Sequence, residues 1–300
     1  MYDLIIIGAG PAGITASVYA ARKRMNFLVI SKDIGGQTAW SGDIENYTGY
    51  QFISGPELTA KFQEHMRQYS VALKENEDVL GISKKANIIM IKTSKGSYET
   101  KTAIVASGKR SRELNVPGEK EFKNKGVTYC ATCDGPLFAG KDVAIIGGGN
   151  SALDAALQLI KIANHIYLID IAPQLIGDAI IQDKIKKSNK VTILSNTKVL
   201  KVIGDKFVSG IKVETDDKEK TLPVQGIFVE IGLIPNSEFA KELDRNKQEE
   251  IKVDEHNKTN IPGIFAAGDV TDVPEKQIII AAGEGSKATL GVFHYLSRQK

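Results

Sequence analysis

Polar Asp3 is followed by the apolar run Leu4–Ile7, a glycine-rich turn, an alanine-rich stretch and a second apolar run, Phe27–Ile30. The same order returns at Asp142, with Val143–Ile146, a second set of glycines, another alanine-rich stretch and Ile166–Ile169. Short, uninterrupted apolar runs of this kind predict strands buried on both faces of a parallel sheet. Asp3–Asp33 and Asp142–Ala172 therefore read as one strand–helix–strand unit present twice, which predicts two α/β domains rather than one.

The stretches between the repeats supply the remaining elements. Ile88–Lys92 and Tyr98–Val105 flank the turn signal Lys95-Gly96-Ser97 and predict a hairpin arm, and Ile104–Gly108 ends an apolar strand in a small-residue turn. The second half repeats that layout, with a charged turn at Asp216–Lys220 and a closing strand at Gly226–Gly232. The polar segment Lys241–Glu250 reads as a crossover, Ile264–Val270 as a buried strand ending in Gly-Asp, and Ile279–Leu296 as a final helix. The expected organisation is a first domain made of residues 1–112 and 242–300, completed by the C-terminal segment, with a second domain, 113–241, inserted into it.

The two glycine loops are Gly8-x-Gly10-x-x-Gly13, with Pro11 and Ala12 inside it, and Gly147-x-Gly149-x-x-Ala152, with Asn150 and Ser151 inside it. The first glycine makes the tight turn, and the second lets a pyrophosphate approach the backbone. The third small residue lets helix and strand pack closely, and the helix N-terminus faces the phosphate charge. Each loop has a strand before it and a helix after it, which is the context that gives the motif meaning. Two Rossmann-like, three-layer nucleotide-binding domains are the expected fold class.

Composition narrows the picture further. Three hundred residues suit about two domains. A net charge of +3, from interspersed Lys and Asp/Glu, gives no footprint for nucleic acid. No apolar run reaches the roughly 18 residues of a membrane span, and the N-terminus enters an apolar run without a charged leader. The expected location is cytoplasmic.

Only two cysteines occur, as Cys130-Ala131-Thr132-Cys133, followed by Asp134 and placed just before the second glycine loop. A structural zinc site needs four ligands, yet no second Cys pair exists and His65, His165, His256 and His294 are scattered. No metal is expected. In a reducing compartment a C-x-x-C pair beside nucleotide loops points to a redox dithiol rather than a structural staple. A carboxyl beside the pair suits thiol–disulfide exchange, in which the leaving thiolate must gain a proton.

Gly8–Gly13, the Gly-Gly-Gln at 35–37, Ile44–Tyr47, Cys130–Asp134, Gly147–Ala152 and Gly268-Asp269-Val270 follow in that order. This series resembles the low-molecular-weight thioredoxin reductase family along the whole chain. Lys276–Ile280, Ala172-Pro173-Gln174 and Val127–Phe138 further resemble the reductase portion of the alkyl hydroperoxide reductase flavoprotein. That flavoprotein carries an N-terminal thioredoxin-like extension, so this chain is expected to meet its electron carrier as a separate protein.

The resemblance implies FAD in the first domain, at Gly8, Gly10, Pro11, Ala12, Gly13, Gly36, Gln37, Asn46, Gly108, Gly268, Asp269, Lys276, Gln277 and Ile278. It implies a nicotinamide cofactor in the second, at Gly147, Gly149, Asn150, Ser151, Ala152 and Asp170. Cys133 becomes the thiol next to the flavin, Cys130 the interchange thiol and Asp134 the proton handler. The implied activity runs from the nicotinamide cofactor through FAD to the dithiol and then to a thioredoxin- or glutaredoxin-like protein. The implied assembly is a homodimer, and the second domain is expected to rotate about hinges near Asn115 and Asn236. An NADH oxidase, a reductase of a peroxiredoxin system and a nucleotide redox sensor stay open as alternatives.

The repeat also bears on the electron donor. Ser31 and Asp170 stand at the same offset, about 20 residues beyond the second glycine of each loop. An acid there accepts hydrogen bonds from the ribose diol and repels a 2′-phosphate. No arginine occurs from Lys141 to Asp244, where typical thioredoxin reductases hold that phosphate. NADH is therefore expected over NADPH, and Ser31 leaves the usual ribose contact of the first loop in doubt.

Overall fold

The computed structural model describes every residue except Gly42, Glu45, Gln299 and Lys300; the side chains of Trp40, Asp43, Thr132 and Cys133 are also outside the description. The chain divides into two compact units, Met1–Arg110 with Ile234–Lys300, and Ser111–Leu233.

In the first unit the parallel strands Leu73–Lys74, Phe27–Ile34, Tyr2–Ala9 and Ser97–Val105 lie side by side in that order. Ser97–Val105 then forks. Its first half pairs antiparallel with Ile88–Thr93 and so with the hairpin strand Val79–Lys85, whereas its second half pairs parallel with Ile264–Ala266. The apolar run explains the layering. Leu4 and Ile6 face one way, into a core shared with the helices Pro11–Arg22 and Ile278–Ser297, and Ile5 and Ile7 face the other. Each such side chain, fully withdrawn from water, contributes about 1.5–3 kcal/mol.

The opposite face is closed by Ala240, Leu243 and Ile251 together with Ile82, Ile89 and Ile91. This corrects the expected boundary. The second crossing comes at Leu233/Ile234 rather than after residue 241, because the segment following Pro235 is needed to cover the first sheet. Its polar composition had suggested a solvent-facing crossover, but its few apolar residues point inward.

The second unit holds a five-stranded parallel sheet, in the order Val127–Thr128, Gly226–Val229, Asp142–Ile146, His165–Ile169, Val191–Leu194. A three-stranded antiparallel sheet, Thr197–Gly204, Val208–Thr215 and Lys218–Leu222, packs Val202, Ile211 and Val213 against Ala144 and Ile146. The charged segment expected as a turn is tighter than predicted. Only Asp216 and Asp217 take the left-handed turn conformation, and Lys218 already begins a strand. The closing strand stops at Val229, three residues before Gly232.

Candidate nucleotide and dithiol sites

Both glycine loops are built on the same steric logic. A Cβ on Gly8 would fall 2.3 Å from the Ala106 carbonyl oxygen, and one on Gly147 would fall 2.3 Å from that of Glu230. Each first glycine is thus pressed against the neighbouring strand, with φ of +104° and +130°. The second glycines differ sharply from this: Gly149 has nothing within 4 Å of a built Cβ, and Gly10 has only the Gly35 oxygen at 4.0 Å. Space is open there, where the motif requires a ligand to approach the backbone.

The helices behind the loops begin without a side-chain cap at Gly10 or Gly149, and Pro11 occupies the first turn of the first. Two other helices of the chain do carry side-chain caps, although the last helix, Ile278–Ser297, does not. Ser54 and Glu57 form a reciprocal capping box, and Asp178 accepts hydrogen bonds from the Ile180 and Ile181 N–H groups. Leaving two loop-borne N-termini uncapped keeps their N–H donors and positive dipole ends available to an anion. Open second glycines and uncapped N-termini fit a pyrophosphate-bearing nucleotide in both units. Gly285 fixes the first of these helices from behind, where a Cβ would fall 2.0 Å from the Ala12 carbonyl oxygen.

Around the first loop the structure gathers most of the expected residues. Gly36 takes φ +54° and lies against Gly10, and the Gln37 side chain donates to the Lys109 carbonyl oxygen at 2.9 Å. Asn46 donates to the Gln277 side-chain oxygen at 3.0 Å, at the start of the last helix, and Ile278 packs on Ile44, Ile53 and Leu58. Gly108 takes φ +64° with open space beside it. The Gly268 N–H donates to buried Glu284 at 2.8 Å, which orients the turn bearing Asp269. Burial raises the Asp269 carboxyl above its ordinary value, against the pull of Lys276 and Lys109. Lys276 pairs with Glu250 at 3.3 Å and donates to the Thr271 carbonyl; Lys109 meets the same Glu250 at 2.7 Å. Burial raises Glu250, but its hydrogen bonds from Lys109 and Asn246 and the Lys276 charge outweigh that and hold it below the usual carboxylate range.

Ser31 accepts from the Ala9 N–H at 3.0 Å and donates to the Asp33 carbonyl at 2.6 Å, so its hydroxyl is spent on the loop itself. At the matching place Asp170 stands beside Gly148 and accepts from the Ala172 N–H at 3.3 Å. The chain then turns back, and the Ile176 and Gly177 N–H groups both donate to the Gly148 carbonyl. Asn150 accepts from the Asp178 N–H at 2.7 Å, fastening that return to the loop helix, while Ser151 is exposed and Ala152 fully buried.

Cys130 is held in a disulfide, and Cys133 is the chain's other cysteine; the Cys133 side chain, with the role expected for it, lies outside the described residues. The pair spans the short helical turn Ala131–Asp134. Thr128 organises this turn: its hydroxyl donates to the Asp134 carboxylate and accepts from the Cys130 N–H at 3.2 Å. Asp134 is thus placed by a hydrogen bond rather than left as a solvated charge.

Four residues of this unit were not singled out from the sequence: Glu119, Tyr129, Glu230 and Thr128. Glu119 is fully buried and accepts from the Leu114 N–H, the Asn115 N–H and the Tyr129 hydroxyl at 2.7, 2.6 and 2.8 Å. Burial, reinforced by that bond, raises Tyr129 well above its ordinary value. Glu230 follows the strand Gly226–Val229 and accepts from the Ala131 N–H. A lone acid inside Ile-Phe-Val-Glu-Ile was the available signal for Glu230, and Thr128 offered none.

A family model described as pyridine nucleotide-disulphide oxidoreductase matches residues 2–285. The chain belongs to that family. The family implies a flavin and a pyridine nucleotide. It is 42% identical over 302 residues to a protein named NADH dehydrogenase from Bacillus subtilis, covering 99% of this chain and 59% of that one. It is likewise 42% identical over 301 residues to a Staphylococcus aureus protein named as a subunit of alkyl hydroperoxide reductase, with 99% and 59% covered. The chain thus spans about three-fifths of these relatives' length. Among solved structures, thioredoxin reductase of Lactococcus lactis in its FR conformation aligns with a TM-score of 0.88 at 35% identity, over 99% of this chain and 100% of that one. The thioredoxin reductase of T. acidophilum aligns at 0.85 and 36%, over 100% and 99%. The two α/β units are therefore of the Rossmann-like type seen across these oxidoreductases.

Proposed function

We propose that the chain is an FAD-dependent protein-disulfide reductase that draws electrons from NADH and delivers them, through Cys130 and Cys133, to a thioredoxin- or glutaredoxin-like protein. The observation that supports this most is the Cys130 disulfide, set in a turn whose Thr128 and Asp134 are hydrogen-bonded together, within the unit bearing the second glycine loop. FAD, held at Gly8–Gly13, Gly36, Gln37 and the Gly268–Asp269 turn, would supply two-electron transfer between nicotinamide and disulfide. Thr128 holds the Asp134 carboxyl beside the turn, where a proton is needed when a thiolate leaves. Asp170, in a unit without arginine beyond Lys141, supports NADH over NADPH, because a carboxylate suits the ribose diol and repels a phosphate.

The test is an anaerobic titration of the FAD-loaded protein with NADH and with NADPH, following flavin bleaching and then thiol labelling. NADH bleaching with the appearance of two thiols, followed by reduction of an added thioredoxin-fold disulfide, is the expected course. Bleaching without new thiols, or equal efficiency with NADPH, would overturn it. A second reading, NADH oxidation without the dithiol, is favoured by the name of the Bacillus subtilis relative. It requires NADH turnover with oxygen to survive in the Cys130→Ser, Cys133→Ser double variant.

A further inference from the structure

Glu230 joins two features of the second unit that the proposed reaction uses separately. Its backbone oxygen is the atom against which Gly147 of the nucleotide loop is pressed, 2.3 Å from a built Cβ. Its N–H donates to the Ile146 carbonyl at 2.8 Å, continuing the pairing of the central strands. Its carboxyl, on the other side, takes the N–H of Ala131, the residue that follows Cys130 inside the redox turn. The main chain of Glu230 is therefore tied to the central strand, and its part-buried acid group accepts a hydrogen bond from the backbone of the redox turn.

One acid acts on that carboxyl: Asp154, on the helix Asn150–Ile160, on which Asp178 acts in turn. No lysine, arginine or histidine figures among the described groups that act on it. Burial is the largest influence and raises the carboxyl to about 7, with Asp154 adding to it and the Ala131 hydrogen bond opposing it. An acid in this range next to a dithiol is not needed merely to hold a turn, because a neutral amide can accept the same hydrogen bond.

Resting on the redox reading of the Cys130–Cys133 pair, we propose that Glu230 is a positioning residue that sets the acidity of Cys130, by gripping the redox turn through Ala131 and changing charge as the dithiol is formed. Reduction breaks the S–S bond with two electrons from the bound cofactors, or from dithiothreitol in a test. One sulfur takes a proton from solvent and becomes a thiol, and the other is left as a thiolate. A Glu230 carboxylate beside that thiolate is a like-charge pair, which is relieved when one of the two takes a second proton. Protonated Glu230 permits the Cys130 thiolate, and ionised Glu230 keeps Cys130 as the thiol. The two groups titrate as a pair.

The experiment measures the alkylation rate of Cys130 by iodoacetamide against pH in the full-length, FAD-loaded Cys133→Ser protein, alone and combined with Glu230→Gln or Glu230→Ala. Glutamine keeps an oxygen for the Ala131 N–H but cannot ionise. The expected result is a midpoint about 1 pH unit lower with Glu230→Gln, the size of shift that removal of a close like charge gives. Rates for the two proteins should differ little at pH 6 and diverge above pH 7, by up to about tenfold at a fixed pH. Glu230→Ala, if folded, should show the same acid shift with a looser turn. Superimposable profiles for Cys133→Ser with and without Glu230→Gln would overturn the proposal and leave Glu230 a purely structural residue. The assay needs neither NADH nor a protein partner, so its failure is distinct from failure of the reductase reading.

Discussion

The Asp170 carboxylate lies so close over Gly148 that a Cβ at that position would fall 1.8 Å from Oδ2. The first loop resolves the same geometry the other way: the short Ser31 accepts from the N–H of Ala9, which carries a Cβ without conflict. Residue size at the strand end and at the middle of the loop are thus paired choices. As Asp170 is placed in this chain, only glycine fits at 148 beneath it.

Gly148→Ala is therefore expected to push Asp170 off its place. We expect a loss of about 2 kcal/mol in folding stability from overpacking and at least about tenfold weaker NADH binding. Adding Asp170→Ser, which copies the Ala9/Ser31 pair, should restore stability but not NADH affinity. Thermal unfolding and NADH titration of the three proteins separate the two effects.

Gly13 and Ala152 occupy equivalent places but not equivalent spaces. A Cβ on Gly13 would fall 1.9 Å from the Gly8 carbonyl oxygen, a backbone atom that cannot step aside, whereas the Ala152 methyl is fully buried without such a clash. Gly13→Ala should cost more than about 3 kcal/mol and release FAD. Ala152→Gly should cost only about 1 kcal/mol through backbone freedom. Urea unfolding measures both.

Glu250 is 14% exposed and serves two cations, Lys109 at 12% and Lys276 at 22%. Removing the shared acid leaves two part-buried cations with no acid between them. Glu250→Ala should therefore destabilise the first unit by about 3 kcal/mol. Lys109→Met, which leaves Glu250 paired with Lys276, should cost clearly less. Reversal of that order in denaturant unfolding would contradict the arrangement.

Tyr129 is one of three donors to the fully buried Glu119. Tyr129→Phe should cost about 1–3 kcal/mol, the range for removing one partner of a buried hydrogen-bonded group. In the Glu119→Ala background the same change should cost much less, so a double-mutant cycle should return a coupling above about 1 kcal/mol.

Glu230 gives the stability a defined pH dependence. Its carboxyl rises from 4.5 in the unfolded chain to about 7 when folded. The folded state holds the proton more tightly, so this contribution is full below pH 4.5 and is lost as pH rises through 7. The difference amounts to roughly 3 kcal/mol at most. Glu230→Gln should remove that fall, and unfolding free energies from about pH 4.5 to 8 should show a flatter profile than the parent protein.

Much of this molecule is legible one residue at a time. Leu4–Ile7 and Val143–Ile146 are short, isoleucine- and valine-rich apolar runs, each followed by glycines at fixed spacing, which together point to strands covered on both faces. That pattern determined two α/β units, the two loops and the position of the cysteine pair between them. Local chemistry also determined the choice of an acid at 170 and a serine at 31. What the sequence left open are relations between residues far apart along the chain. Ala240 and Leu243 sit in a polar stretch, and only the folded sheet shows that they close its second face and move the domain boundary to residue 233. Glu250 gains its meaning from Lys109, and Glu230 from Ala131, partners roughly a hundred or more positions away that only the packed sheets bring together. A charge within an apolar run signals a partner, but burial and direction, which set its acidity, exist only once the neighbouring strand and helix are in place.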